Sequence, residues 1–181
     1  MLLFLGDSIT DWWDKDIYER DFSKYENENL GIGGLFTHEL IKILQNGGFM
    51  NKYKPKVVVL MIGINNLLNG VNPEHVINDI RAIIDLILSK YPGVKILLRG
   101  LLPCGKFKHE NIRTKVEEVN NVIITYANGD NIFYIDNGDL FKDSEGTLDE
   151  KLMYDYLHFT KEGYEVMSNG LSPTICELMD N

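Results

Sequence analysis

Leu2-Leu3-Phe4-Leu5-Gly6-Asp7-Ser8-Ile9-Thr10 opens the chain as a short apolar run that stops at a glycine and turns polar at once. Four apolar residues are too few for a helix and suit a strand buried on both faces. The same pattern returns at residues 57–62, 95–99 and 131–136, each aliphatic or β-branched and each ending at or beside Gly, Asp or Asn. A weaker fifth run, residues 29–32, leads into Gly33-Gly34. Helical periods fill the gaps. Val76, Ile80, Ile83 and Ile87 share one face, with Asn72 as N-cap and Pro73 in the first turn. Ile112, Val116, Val119, Ile123 and Tyr126 form a second stripe. Thr160 reads as the N-cap of a terminal helix carrying Tyr164 and Met167. Pro173 is expected to interrupt that helix, with Ser172 as a fresh cap.

Alternation of strand and helix implies βαβ units, hence one parallel sheet covered on both faces. With 181 residues the chain is expected to be a single domain, residues 1–181. Ligands of such sheets bind beyond the carboxyl ends of the strands. That makes Gly6-Asp7-Ser8, Gly33-Gly34, Gly63-Ile64-Asn65, Gly100 and Asp136 the places to search for function.

Composition narrows the function classes. Lys plus Arg number 18 against 27 Asp plus Glu, a formal charge of -9. An acidic chain is a poor partner for nucleic acid or for an anionic membrane surface. No apolar run reaches the ~20 residues of a membrane span. The apolar start lacks a basic flank and is too short for a signal peptide, so a cytoplasmic location is expected. The two cysteines, Cys104 and Cys176, suit neither a disulfide framework nor a metal site. No phosphate-loop, dinucleotide or metal signature is present, so no cofactor and no metal are expected.

Ser8 follows a strand and precedes a helix, which puts a hydroxyl at the sheet edge. On its own, Ser8 or Thr10 could simply cap that helix. A serine attacks only when a base takes its proton. Of His38, His75, His109 and His158, the last stands out, lying in Asp155-Tyr156-Leu157-His158-Phe159-Thr160. A short loop there lets the Asp155 carboxylate accept the Nδ1 hydrogen and leaves Nε2 free as a base. A surface loop histidine is the bland alternative, and Asp136 or Asp139 could supply the acid instead. Acyl transfer also needs preorganised donors for an oxyanion. Gly33-Gly34 can bare a backbone N–H, and the Asn65 amide can donate, although a tight turn and an N-cap (Asn65 or Asn66) explain them equally well.

Taken together, Gly-Asp-Ser, Gly-Gly, Gly-x-Asn and Asp-x-x-His stand in an order that resembles the SGNH (GDSL-type) hydrolases. Asn29-Leu30-Gly31-Ile32-Gly33-Gly34, Lys54-Pro55-Lys56-Val57, Gly63-Ile64-Asn65-Asn66, Gly100-Leu101-Leu102-Pro103 and Asp155-Tyr156-Leu157-His158 further resemble the catalytic subunits of the intracellular platelet-activating-factor acetylhydrolase branch. The resemblance implies a flavodoxin-like three-layer α/β/α sandwich with a five-stranded parallel sheet. It implies a serine esterase with Ser8 as nucleophile, His158 as general base and Asp155 orienting the histidine. The oxyanion hole would be the Ser8 and Gly34 N–H groups plus the Asn65 amide. Ile9, Ile64 and Leu157 match the acyl-pocket positions. All three are bulky, so a short acyl group such as acetyl is expected, carried by a lipid, sugar or other small alcohol. Lysophospholipase or thioesterase activity, a flavodoxin-like binding module, and a domain whose main task is protein association are the alternatives.

The chain departs from that branch in two places. Leu35-Phe36-Thr37 stands where its members have Asp-Thr-Thr, which makes one wall of the site more apolar. The sequence begins at the first strand, without the segment that helps those subunits pair, so a similar dimer does not follow from the resemblance and a homo-oligomer stays open. Trp12-Trp13 could wall the site or bind sugar rings, with at least one of the pair expected in the core. Asp7 is expected to accept loop N–H bonds, and Cys104 to be inert packing.

Overall fold

The central strands are runs that can lose water from both faces at once, and less buried strands pair at their sides to close the sheet. The computed structural model describes residues 1–46 and 50–181. Among these, β1 (Leu2–Gly6), β2 (Asn27–Gly31), β3 (Val57–Met61), β4 (Lys95–Arg99) and β5 (Ile132–Ile135) pair in parallel, in the order β2-β1-β3-β4-β5. Register places Gly6 opposite Gly31 on one side and Met61 on the other. β1 and β3 are buried along their whole length, whereas β2 is half-exposed. β2 is an edge strand, which explains why Asn27-Glu28-Asn29 is polar and why the pattern located it at 29–32. The Ile32 N–H still reaches the Gly6 carbonyl at 3.0 Å, one step past the assigned strand.

Helices cover both faces. α1 (Ser8–Asp11) and α2 (Lys15–Phe22) follow β1, and α3 (Thr37–Gln45) follows β2. α4 (Ile64–Leu68) and α5 (Pro73–Lys90) follow β3, α6 (Asn111–Ile123) follows β4, and α7 (Lys161–Asp180) closes the chain. α2 packs against α7, while α5 packs between α3 and α6. Asn72 caps α5 by accepting from the Glu74 N–H at 2.9 Å, and Pro73 takes the first turn. Val76, Ile80, Ile83 and Ile87 are buried, each contributing roughly 1.5–3 kcal/mol of transfer free energy. Tyr126 falls in a 3-10 turn, Ile124–Tyr126, just beyond α6.

The strand order reverses beside β1: the chain crosses to β2 on one side and returns to β3 on the other. The residues after β1, β2 and β3 therefore share one edge of the sheet at a topological switch point.

One expectation fails. Pro173 does not interrupt the last helix; α7 runs unbroken from Lys161 to Asp180. Tyr164, Met167, Leu171, Ile175 and Leu178 make one buried stripe on both sides of the proline. Pro173 and Asn169, whose carbonyl loses its N–H donor, are exposed, so water can satisfy that carbonyl. Burial of the stripe outweighs an interior proline's penalty of about 3 kcal/mol. Pro173→Ala is expected to stabilise the protein by about 1–3 kcal/mol, read as a raised midpoint in denaturant unfolding. An unchanged or lowered midpoint would mean that the helix bears no strain at this position.

Candidate active site

β1 ends at Gly6, and Asp7 turns the chain into α1 by accepting the Ile9 N–H at 3.1 Å on Oδ1. Ser8 is the first residue of that short helix, so its own N–H has no intrahelical acceptor. Its Oγ lies 2.9 Å from His158 Nε2, across 150 residues of chain. His158 Nδ1 lies 2.7 Å from Asp155 Oδ2. An ionised carboxylate only accepts, so the Nδ1 hydrogen points at Asp155 and Nε2 is left to accept the Ser8 hydroxyl.

The loop holding the imidazole is tightly made. Asp155 Oδ1 accepts the backbone N–H groups of Leu157 at 3.0 Å and His158 at 2.6 Å. Burial works against the Asp155 charge, but hydrogen bonds from the His158 ring and these N–H groups outweigh it and hold the carboxyl below its ordinary value. Tyr156, between the two, adopts φ +60°, a left-handed conformation uncommon for a side-chain-bearing residue. Its carbonyl accepts from the Gly105 N–H at 3.0 Å and its hydroxyl donates to Glu150 at 2.9 Å, which hold that turn in place.

Two neighbouring strand ends add donors. After β2, Gly34 sits at φ +76° with open space where a side chain would project, so it is the backbone angle that calls for glycine. Among the described residues nothing accepts its N–H. After β3, Gly63 turns at φ +130° with Val76 only 2.7 Å from where a Cβ would stand. This turn starts α4 and sets Asn65 at the edge, where Nδ2 donates one hydrogen to the Leu35 carbonyl at 3.1 Å. Asn66 points inward, accepting the Thr37 N–H and donating to the Thr37 hydroxyl. The two asparagines thus divide: one at the sheet edge, one tying α4 to α3. Ile9 and Ile64 are buried in the core and Leu157 is half-buried.

Other candidates lie elsewhere. Asp136 accepts from Gly138, Asn120 and Tyr134, and Asp139 pairs with Lys142, so neither carboxylate meets His158. A cavity of about 560 Å³ at the ends of β4 and β5, bordered by Pro103, Asn120 and Asp136, is lined by none of the residues around Ser8. Burial pushes the Cys104 thiol up to about 12, which keeps it protonated and inert.

Three features were not resolved by the sequence. Trp13 is in the core, its ring 5.3 Å from Phe4, while Trp12 is exposed with its indole 4.6 Å from the His158 ring. Tyr154 also stacks beside His158, at 6.2 Å. Arg99, the last residue of β4, is buried and donates to Met167 Sδ at 3.1 Å. The signal for Arg99 was present as a lone charge ending an apolar strand. Burial lowers its guanidinium to about 10, against the pull of the Asp7 charge. Asp7 itself is fully buried, and its Oδ2 has no hydrogen-bond partner among the described residues. Burial raises this carboxyl to about 6, although the Ile9 N–H and the charges of Arg99 and His158 pull it down.

The family model described as the GDSL-like lipase/acylhydrolase family matches residues 4–166. The chain is 32% identical over 181 residues to human (Homo sapiens) platelet-activating factor acetylhydrolase IB subunit alpha1, spanning 98% of this chain and 76% of that one. It is 34% identical to the alpha2 subunit from Bos taurus over 181 residues, spanning 99% and 77%. The crystal structure of a GDSL-like lipase from Bacteroides thetaiotaomicron superimposes with a TM-score of 0.81 at 20% identity, covering 97% of this chain and 87% of the other. That last likeness shows the shared three-layer α/β fold.

Asp7 yields a test through stability. With its carboxyl near 6 in place of 3.8, the native state keeps a proton between pH 4 and 6 that the unfolded chain releases. Stability from this group is therefore present below the unfolded value and falls as pH rises through that window, by about 3 kcal/mol in all. Asp7→Asn retains an acceptor for the Ile9 N–H and cannot titrate. The stability difference between Asp7→Asn and wild type, measured in urea at several pH values, should change by that amount between pH 4 and 7; a constant difference would show that Asp7 does not titrate there.

Proposed function

Because the chain belongs to the GDSL-like lipase/acylhydrolase family, a family of carboxylic ester hydrolases, we propose that it is a serine esterase in which Ser8 attacks, His158 is the general base and Asp155 orients the imidazole. The observation that carries this reading is the contact chain Ser8 Oγ to His158 Nε2 at 2.9 Å and His158 Nδ1 to Asp155 at 2.7 Å.

As the Ser8 oxygen bonds to the ester carbonyl carbon, its proton passes to Nε2. The resulting oxyanion is held by the Ser8 and Gly34 N–H groups and by the Asn65 amide, whose other hydrogen is anchored on Leu35. These donors come from the ends of β1, β2 and β3, three strands adjacent in the sheet. Collapse breaks the bond to the alcohol oxygen, which takes the proton from Nε2. Water then gives a proton to Nε2 as its oxygen bonds to the acyl carbon; the bond to the Ser8 oxygen breaks, that oxygen takes the proton back from Nε2, and the acid leaves. The step requires no group beyond these side chains and water.

An acetyl or similarly short acyl group is the substrate half that the geometry favours. Ile9 and Ile64 are packed into the core, so little room is left for a long chain at the positions assigned to the acyl pocket. The relatives named platelet-activating factor acetylhydrolase point the same way.

Hydrolysis of p-nitrophenyl acetate, butyrate and octanoate tests both halves of this reading. Ser8→Ala should lose about ten thousand-fold or more in kcat, and Asn65→Ala about a hundred- to a thousand-fold. Turnover should fall on acidification, as protonation removes the Nε2 lone pair. Wild-type-like rates in either variant would remove that residue from the mechanism, and faster octanoate than acetate hydrolysis would overturn the short acyl group.

A further inference from the structure

Eight large apolar side chains are exposed among the described residues, and four of them, Trp12 at 52%, Ile32 at 46%, Leu68 at 48% and Tyr154 at 51%, belong to the segments that carry Ser8, Gly34, Asn65 and His158. The rest lie on the 107–140 stretch. Exposed apolar residues scattered singly need no explanation, but a set gathered at a reactive group does. Trp12 follows Ser8 by one helical turn, its N–H donating to the Ser8 carbonyl at 2.9 Å. Its ring contacts His158 at 4.6 Å, and its indole nitrogen stands 3.9 Å from where a Gly33 side chain would begin. The backbone of Ile32 is bonded to Gly6, two residues from Ser8. Leu68 lies three residues beyond Asn65 and so on the same side of α4. The Tyr154 N–H donates to the His158 carbonyl at 3.1 Å, and its ring stacks beside the imidazole.

We propose that Trp12, Ile32, Leu68 and Tyr154 form an apolar collar around Ser8 that selects the alcohol half of the ester, making short-acyl esters of alkyl and aryl alcohols the preferred substrates. The inference rests on the esterase reading above. The leaving oxygen must take its proton from His158 Nε2, so the alcohol departs past the imidazole, which Trp12 and Tyr154 flank. Of the four collar side chains only the indole and the phenol can hydrogen-bond, and the Asp11 carboxylate beside Trp12 already accepts from the Gly33 N–H at 3.2 Å, too few free groups to replace the hydration of a polyol. The formal charge of -9 disfavours an anionic alcohol. What remains complementary is an uncharged apolar group.

The test is a series of methyl, butyl and hexyl acetate, which hold the acyl group constant and vary leaving-group basicity little, with a peracetylated pentose as the polar comparison. In the wild type kcat/KM should rise about twofold per added methylene, carried by KM with kcat little changed, as uniform binding of an apolar group requires. Hexyl acetate should outrun the sugar ester. The double variant Leu68→Ser, Ile32→Ser, at two exposed positions that do not touch the imidazole, should flatten the rise. A wild-type series that is flat while hydrolysis still depends on Ser8 would overturn the collar and leave the esterase standing. A rise that persists in the double variant would overturn it equally. If Ser8→Ala hydrolyses hexyl acetate as the wild type does, the esterase reading falls and the collar with it.

Discussion

β1 has no face and no edge open to water: strands pair on both sides of it, and its five residues are buried. Much else follows from that constraint. A strand buried on both faces demands a helical layer above and below, and parallel neighbours demand crossovers. Parallel pairing brings the carboxyl ends of β2, β1 and β3 to one edge. At that edge the chain has run out of ladder, so backbone N–H groups and polar side chains can turn outward without leaving buried groups unpaired. Gly6-Asp7-Ser8 marks the change from a residue that must pair in the ladder to one that is free of it.

The second requirement is distance along the chain. Ser8 and His158 are separated by 150 residues, and their 2.9 Å contact is made by packing. α7 lies against α2 with Tyr164, Met167 and Leu171 buried, and the Tyr164 hydroxyl donates to the Ile9 carbonyl at 3.1 Å, tying α7 to the turn that carries Ser8. The short loop before α7 is thereby delivered to Ser8. Its inner geometry is local: Asp155 grips the His158 ring and two backbone N–H groups within four residues, with Tyr156 at φ +60° as the turn that allows it.

The same architecture places a buried charge beside Ser8. Among the described residues Asp7 Oδ2 has no hydrogen-bond partner, and Arg99 is almost fully enclosed and donates to a thioether. Burial penalises each charge, and each partly relieves the other. Burying such groups carries a stability cost; here the carboxylate also caps the helix that begins at Ser8.

From the order of residues alone came whatever depends on neighbours within a few positions. Apolar runs marked the strands because pairing needs a continuous stretch; Asn72 and Thr160 marked helix starts because a cap bonds two or three residues ahead. Asp155 and His158 could be read as a pair because three residues separate them. β2 was faint because an edge strand carries less apolar pattern, and Pro173 misled because its local penalty is visible in the sequence whereas the burial that overrides it is not. Tertiary structure decided the rest. It turned Trp13 inward and Trp12 toward His158, sent Asn66 into the interior and left Asn65 at the edge, and buried Asp7 and Arg99 where their charges act on each other. The physical reason is that residues adjacent in sequence carry the same local propensities, and only the packing of distant elements determines which of two neighbours loses its water and which one faces the site.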